Sequence, residues 1–150
     1  MGVDISRMRK HAKVLQFIKY CCVGLLNTAI TLGVIYTCKS LFGCNLYVSN
    51  AIGYLCGLAN SFFCNKHWVF HSHGRYSAEA AKFVTGFFVC YLLQLWTVWM
   101  MTDSAFGKQE FEILGIVLSG YGIATLAGNI VYTIANFAFS RLVTFRNQKR

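Results

Sequence analysis

The sequence predicts an all-α polytopic membrane protein with four transmembrane helices arranged as two parallel two-helix repeats. Three observations lead there. The 150 residues are 56% hydrophobic and only 13% charged, with no proline, whereas a soluble domain carries about 25% charged residues. Long apolar runs alternate with short polar segments, and each run can supply the roughly 20 residues that cross a hydrocarbon core about 30 Å thick. The third observation is internal repetition. Asn60-Ser-Phe-Phe-Cys-Asn-Lys-His-Trp-Val-Phe70 returns as Ala135-Asn-Phe-Ala-Phe-Ser-Arg-Leu-Val-Thr-Phe145, setting Phe62 against Phe137, Asn65 against Ser140 and Lys66 against Arg141. In each copy an apolar run gains small polar residues, then one basic residue, then a β-branched and aromatic exit. A helix leaving a membrane toward the cytoplasm has this composition, because basic residues favour that side and aromatic rings sit at headgroup level.

The head, residues 1–16, carries Arg7, Arg9, Lys10, His11 and Lys13 as a short amphipathic lead-in. It looks like the charged start of a signal peptide, but the apolar run behind it is too long and ends without a small-residue cleavage site. The head is expected to stay as the approach to helix one, over about Phe17 to Cys38, where Gly24, Asn27, Thr28 and Thr31 are expected on a protein-facing side. After a loop at residues 39–45, helix two is expected from Leu46 to Asn65. Ser49, Gly53, Gly57 and Ser61 form a ladder of small residues along it, which lets another helix approach backbone to backbone. Residues 67–82 read as a polar cytoplasmic loop. Helix three is expected from Phe83 to Thr102, with Gln94 and Thr97 inside it and Trp96 and Trp99 near its outer end. An acidic loop with Asp103, Glu110 and Glu112 leads to helix four, expected from about Ile113 to Ser140. There Gly120, Ala124 and Gly128 repeat the small ladder, while Thr125, Asn129, Thr133, Asn136 and Ser140 make a polar stripe leading to Arg141.

Topology follows from where Lys and Arg fall. Twelve of the fourteen lie in the head through Lys19, the middle segment with Lys66, or the tail from Arg141; only Lys39 and Lys108 fall on the other side. Four spans with both termini in the cytoplasm are expected, forming a single transmembrane domain over residues 1–150. One repeat covers about residues 17–70 and the other about 83–145. Each has two spans, so both copies insert in the same sense, related by an axis along the membrane normal. The ladders exceed what one internal contact requires, and a homo-oligomer, most simply a dimer, is expected from them.

Composition also excludes functions. The net charge of +9 would suit nucleic acid, but the basic residues flank apolar runs instead of covering one face. Lipid phosphates are the better anions, at about 1 kcal/mol per Lys or Arg near an anionic leaflet. The seven cysteines fall almost entirely in apolar runs and read as small packing residues; only Cys38 and Cys44, across the outer loop, are placed for a disulfide, and unpaired thiols are expected. His67, His71 and His73 have no adjacent cysteine or acid to complete a metal site, so neither metal nor cofactor is expected. Asp4 and Glu79, 75 residues apart, are the only acids assigned to the cytoplasm. That is too few carboxylates for a metal-dependent nucleotide-sugar transferase. No expected span holds Asp or Glu, which removes the proton relay of a coupled exporter. No catalytic residue is expected.

What remains is a polar path without charge. Asn27 with Thr28, Asn60, Gln94, Asn129 and Asn136 place neutral hydrogen-bonding groups inside the spans, where a full charge would cost about 2.5 to 3.5 kcal/mol. Lys66 and Arg141 stand at the inner edge. Basic residues there suit either a lipid phosphate or a helix end anchored by snorkelling. The carboxamides suit either ligand hydroxyls or interhelical bonds of about 0.6 kcal/mol. Tyr47, Trp68, Trp96 and Trp99 read as an interfacial aromatic belt.

Val23-Gly-Leu-Leu-Asn-Thr28, Asn65-Lys-His-Trp-Val-Phe70, and Asn136-Phe137 with Arg141 and Phe145 together resemble the GtrA-like family, over about Phe17 to Phe145. The resemblance implies a small four-span protein of the bacterial cytoplasmic (inner) membrane. Such a protein turns a polyprenyl-phosphate-linked monosaccharide from the inner to the outer leaflet, where a separate membrane glycosyltransferase uses it on a cell-surface polysaccharide. Anchoring or organising that enzyme is the other role implied. Lys66, Arg141 and Asn65 become the lipid-phosphate set. The second copy departs from the first, with Ser140 and Val143 in place of Asn65 and Trp68, and Leu92-Leu-Gln94 in place of Leu26-Asn-Thr28. The first copy is therefore expected to be the more ligand-specific.

Overall fold

The computed structural model describes residues 5–103, 110–113 and 116–146. In chain order these form α1 (Ile5–Ser40), α2 (Leu46–Cys64), α3 (Tyr76–Thr102), the strands β1 (Glu110–Ile113) and β2 (Ile116–Ser119), and α4 (Gly120–Phe139). Five-residue π-helical turns, Asn65–Val69 and Ser140–Thr144, continue α2 and α4. The chain divides into two compact units, Met1–His73 and Gly74–Arg150. The first pairs α1 with α2 and the second pairs α3 with α4. Asp4, Lys108, Lys149 and Arg150 lie outside the described residues.

His11–Ser40, Tyr76–Thr102 and Gly120–Thr144 are long and apolar enough to cross a membrane. The 19-residue α2, with Asn50 and Asn60 among its residues, is not one of these three. Leu25, Leu55, Leu92 and Leu126 point outward on the four helices, as they should where the surrounding solvent is hydrocarbon.

Three boundaries differ from the sequence expectation, each for a local reason. The basic head runs straight into α1 from Ile5, since neither glycine nor proline interrupts residues 5–23. Helix α3 begins at Tyr76, not Phe83, so the last seven residues of the expected loop are helical. Ala78, Ala80 and Ala81 are strong helix formers, and Glu79 stands in the first turn, at the end where the helix dipole favours an anion. Glu79 is consequently a buried residue of the first turn of α3, which corrects its place in a loop. Helix α4 begins at Gly120, not Ile113, because Ser119 caps it by accepting from the Gly122 amide at 3.1 Å. The apolar residues before that cap form an antiparallel hairpin, pairing Glu110 with Ser119 and Ile113 with Ile116. The helical fold therefore carries one short two-stranded element.

Each small ladder faces the helix that precedes it. Ser49, Gly53 and Gly57 are buried. A Cβ on Gly53 would stand 2.5 Å from Ile35 Cγ1 and 3.0 Å from the Thr31 carbonyl, and one on Gly57 would collide with Thr31 Oγ1. Ser61 is half-buried. In the second unit Gly120, Ala124 and Gly128 are buried, and a Cβ on Gly128 would lie 2.8 Å from Val98 Cγ2 and 3.2 Å from Gln94 Cγ. On α1, Asn27 and Thr31 meet α2, whereas Gly24 has open space beside it and the exposed Thr28 donates to the Gly24 carbonyl at 3.2 Å. Consecutive helical residues lie about 100° apart, so Asn27 and Thr28 cannot share one partner.

The first hairpin closes over residues 41–45. Gly43 takes φ +63°, the Cys44 amide donates to the Cys38 carbonyl at 3.0 Å, and Asn45 caps α2 by accepting from Val48 N–H at 2.8 Å.

Candidate functional site at the helix exits

The sequence repeat becomes geometry at the two π turns. The Phe70 amide donates to the Asn65 carbonyl at 2.9 Å, and the Phe145 amide donates to the Ser140 carbonyl at 2.8 Å. Each bond spans five residues instead of four. A π turn packs an extra residue into the helical circuit and swings the following side chains out of α register; such turns are rare and concentrate at functional sites. The Ser72 amide, donating to the Lys66 carbonyl at 2.8 Å, and His71 in the left-handed region end the first one.

Asn65 and Lys66 open this turn and are buried, each only 1% exposed. A snorkelling lysine keeps its ammonium in water, and Lys66 does not. Taking such a cation out of water costs several kcal/mol unless the surroundings compensate it. Asn65 donates its amide to Ser61 Oγ at 3.2 Å, leaving Oδ1 buried without a donor. Deeper along α2, Asn60 donates to Asn27 Oδ1 across the helix pair at 2.7 Å, and Cys64 Sγ reaches Asn60 Oδ1 at 3.5 Å. At the rim, Tyr20 meets Phe70 edge-on at 6.5 Å, Gln16 donates to the Val69 carbonyl at 3.2 Å, and Lys19 Nζ lies 5.7 Å from the Trp68 ring centre.

The second unit has the same plan with other residues. Gln94 donates to Asn129 Oδ1 at 2.8 Å, joining α3 to α4 as Asn27 and Asn60 join α1 to α2. Asn136 donates to Tyr132 Oη at 3.4 Å. Asn136, Ser140 and Thr144 follow at four-residue steps, all buried, and the Ser140 and Thr144 hydroxyls have no partner. A buried polar atom left without a partner costs about 1–3 kcal/mol. Arg141 is half-buried, and Phe83 packs on Phe145 at 6.1 Å.

The structure thus joins Asn27 to Asn60 and Gln94 to Asn129, and leaves Thr28 outside both pairs. Asn50 turns back to its own helix, donating to the Leu46 carbonyl at 2.8 Å. Sequence reasoning gave no role to Thr144, to the buried Ser72 and Glu79, or to Lys19 above Trp68. Thr144 was accessible as the next four-residue step after Asn136 and Ser140. Glu79 gave a weaker signal as a single acid near a helix start; a Cβ on Gly74 would run into its carboxylate. Among the described residues no three His, Cys, Asp or Glu side chains gather as metal ligands.

Apolar helices paired through neutral carboxamides, with a basic residue at the end of each pair, define a polytopic membrane protein. The chain belongs to the GtrA/DPMS transmembrane-domain family, whose model matches residues 19–145. It is similar to the cell wall teichoic acid glycosylation protein GtcA of Listeria innocua, at 24% identity over 138 residues, covering 89% of this chain and 87% of that one. The protein of the same name from Listeria monocytogenes is 23% identical over the same coverage. The bactoprenol-linked glucose translocase of Shigella flexneri is 33% identical over 78 residues, 51% of this chain and 60% of that protein.

Proposed function

We propose that this protein is a translocase of the bacterial cytoplasmic membrane. It turns a polyprenyl-phosphate-linked monosaccharide from the inner to the outer leaflet, where a separate membrane glycosyltransferase transfers the sugar to a cell-surface polysaccharide. One observation carries the reading: a basic residue in a π turn, Lys66 or Arg141, lies beyond a neutral carboxamide pair, Asn27–Asn60 or Gln94–Asn129, in each unit. A lipid phosphate needs a cation where it is loaded, and a hydroxyl-rich head crossing the bilayer needs hydrogen bonds without the cost of intramembrane charge. The relatives' names, a bactoprenol-linked glucose translocase and wall glycosylation proteins, support the same chemistry.

In this reading α2 is the fourth span, residues 17–70 and 83–145 are parallel repeats, and both termini and the 70–75 link face the cytoplasm. Lys66 and Arg141 take the phosphate, with Asn65 beside Lys66, and the carboxamide pairs together with Asn136 line the path. No residue acts as a catalyst, and consumption of the lipid on the far side drives the net movement. The dimer expected from the small ladders does not enter the proposal, because Gly53 and Gly57 face α1 and Gly128 faces α3.

The second reading, a membrane scaffold for the glycosyltransferase, is favoured by relatives whose names state glycosylation and no transport. Liposomes holding the purified protein and no enzyme separate the two. Protein-dependent exposure of an inner-leaflet fluorescent prenyl-phosphate-linked sugar to an outside quencher is the expected result. A rate equal to that of empty liposomes would leave only the scaffold.

A further inference from the structure

Hydroxyls in a membrane helix are ordinarily satisfied by the carbonyl four residues earlier. Eight in this protein are: Thr28, Thr37, Ser49, Thr85, Thr97, Thr102, Thr125 and Thr133 donate that way at 2.8 to 3.2 Å. Ser140 and Thr144 break the rule. They are 1% and 2% exposed, and neither hydroxyl has a partner. Both belong to the second π turn. The residue 75 positions before Ser140 behaves alike, since Asn65 in the first π turn also buries an oxygen with no donor. Each turn therefore holds buried polar atoms that no described residue satisfies.

We propose that the Ser140 and Thr144 hydroxyls bind the sugar head of the transported lipid, each exchanging a hydrogen bond with a ring hydroxyl. A serine or threonine hydroxyl both donates and accepts, and so does every hydroxyl of a sugar, whereas a phosphate oxygen only accepts. The inference rests on the translocase reading and divides its labour within the second unit: Arg141 holds the phosphate, and the neutral hydroxyls of the same turn read the sugar.

The test uses Ser140→Ala with Thr144→Val, which removes both hydroxyls and keeps the side-chain volumes close. Two probes are titrated against the purified full chain in mild detergent, a short-tailed prenyl phosphate carrying glucose and the same prenyl phosphate without a sugar. Affinity of the variant for the glucose-bearing probe should fall about tenfold, the sum of two ordinary hydrogen bonds. Affinity for the bare phosphate should not change. The thermal midpoint should hold or rise, because two unsatisfied buried groups are gone. Equal losses for both probes, a parent protein that binds the two probes equally, or a lowered midpoint in both the double variant and Ser140→Ala alone would each overturn the proposal. Binding is read without transport, so a protein that selects the sugar through these hydroxyls yet moves no lipid sinks the translocase reading and leaves the site standing.

Discussion

Lys66 is where charge, burial and position coincide, and it supports the sharpest test at the scale of one residue. Lys66→Ala should reduce lipid-sugar movement in liposomes by about tenfold or more, since a hydrogen bond to a charged group contributes about 1.5–3 kcal/mol. Lys66→Arg should retain more of it, because the phosphate requires the charge. The half-buried Arg141 should respond less to alanine. Parent-rate transport by correctly inserted Lys66→Ala protein would move the phosphate elsewhere. The sequence located Lys66 and Asn65 without difficulty, because a basic residue after an apolar run with small polar residues marks a membrane exit. It could not reveal that Lys66 turns inward, since the default for a lysine at a helix end is to reach for water. Thr28 failed for the opposite reason: its motif neighbour Asn27 points at α2, and one residue's rotation leaves Thr28 bonded to its own helix.

At the scale of elements, packing of α1 on α2 depends on the absence of a side chain at particular places. Gly57→Ala brings a methyl group against Thr31, so it should lower stability by about 1–3 kcal/mol, the usual cost of overpacking. Gly24→Ala meets open space and should change it by less than about 0.5 kcal/mol. Thermal unfolding in detergent would compare them, and equal shifts would contradict this packing. The ladder itself was legible from its spacing. Its partner was not, because small residues announce close approach and do not say to which helix. The start of α4 shows a similar limit. Ile113 to Ser119 is apolar enough for helix or strand, and the decision falls to Ser119, whose side chain caps Gly122.

For the whole molecule, the number of helices and the ends that carry charge were legible in the residues themselves, as composition governs both. Green fluorescent protein fused after Arg150 should fluoresce, and alkaline phosphatase inserted at Gly43 should be active, which places the tail inside and the first turn outside. A fluorescent insertion at Gly43 would reverse the topology. The exposed His73 is the better labelling position on the middle link, because Ser72 is buried. The division into one helix pair per unit has the same origin as the sequence repeat, since each copy brings a ladder together with the helix that precedes it.

The bond between Asn60 and Asn27 also bears on how the protein is made. Helix α2 is the shortest of the four and carries Asn50 and Asn60, so as it emerges from the ribosome it has a weaker claim than the others do to leave the insertion machinery for lipid on its own. With α1 already waiting, one of its asparagines is met at once and its glycines have a surface to lie on. The two helices should then partition as a preformed hairpin, and α2 expressed without α1 should fail to integrate while α3 succeeds alone. Integration of solitary α2 as efficient as that of α3 would show that this early pairing is unnecessary.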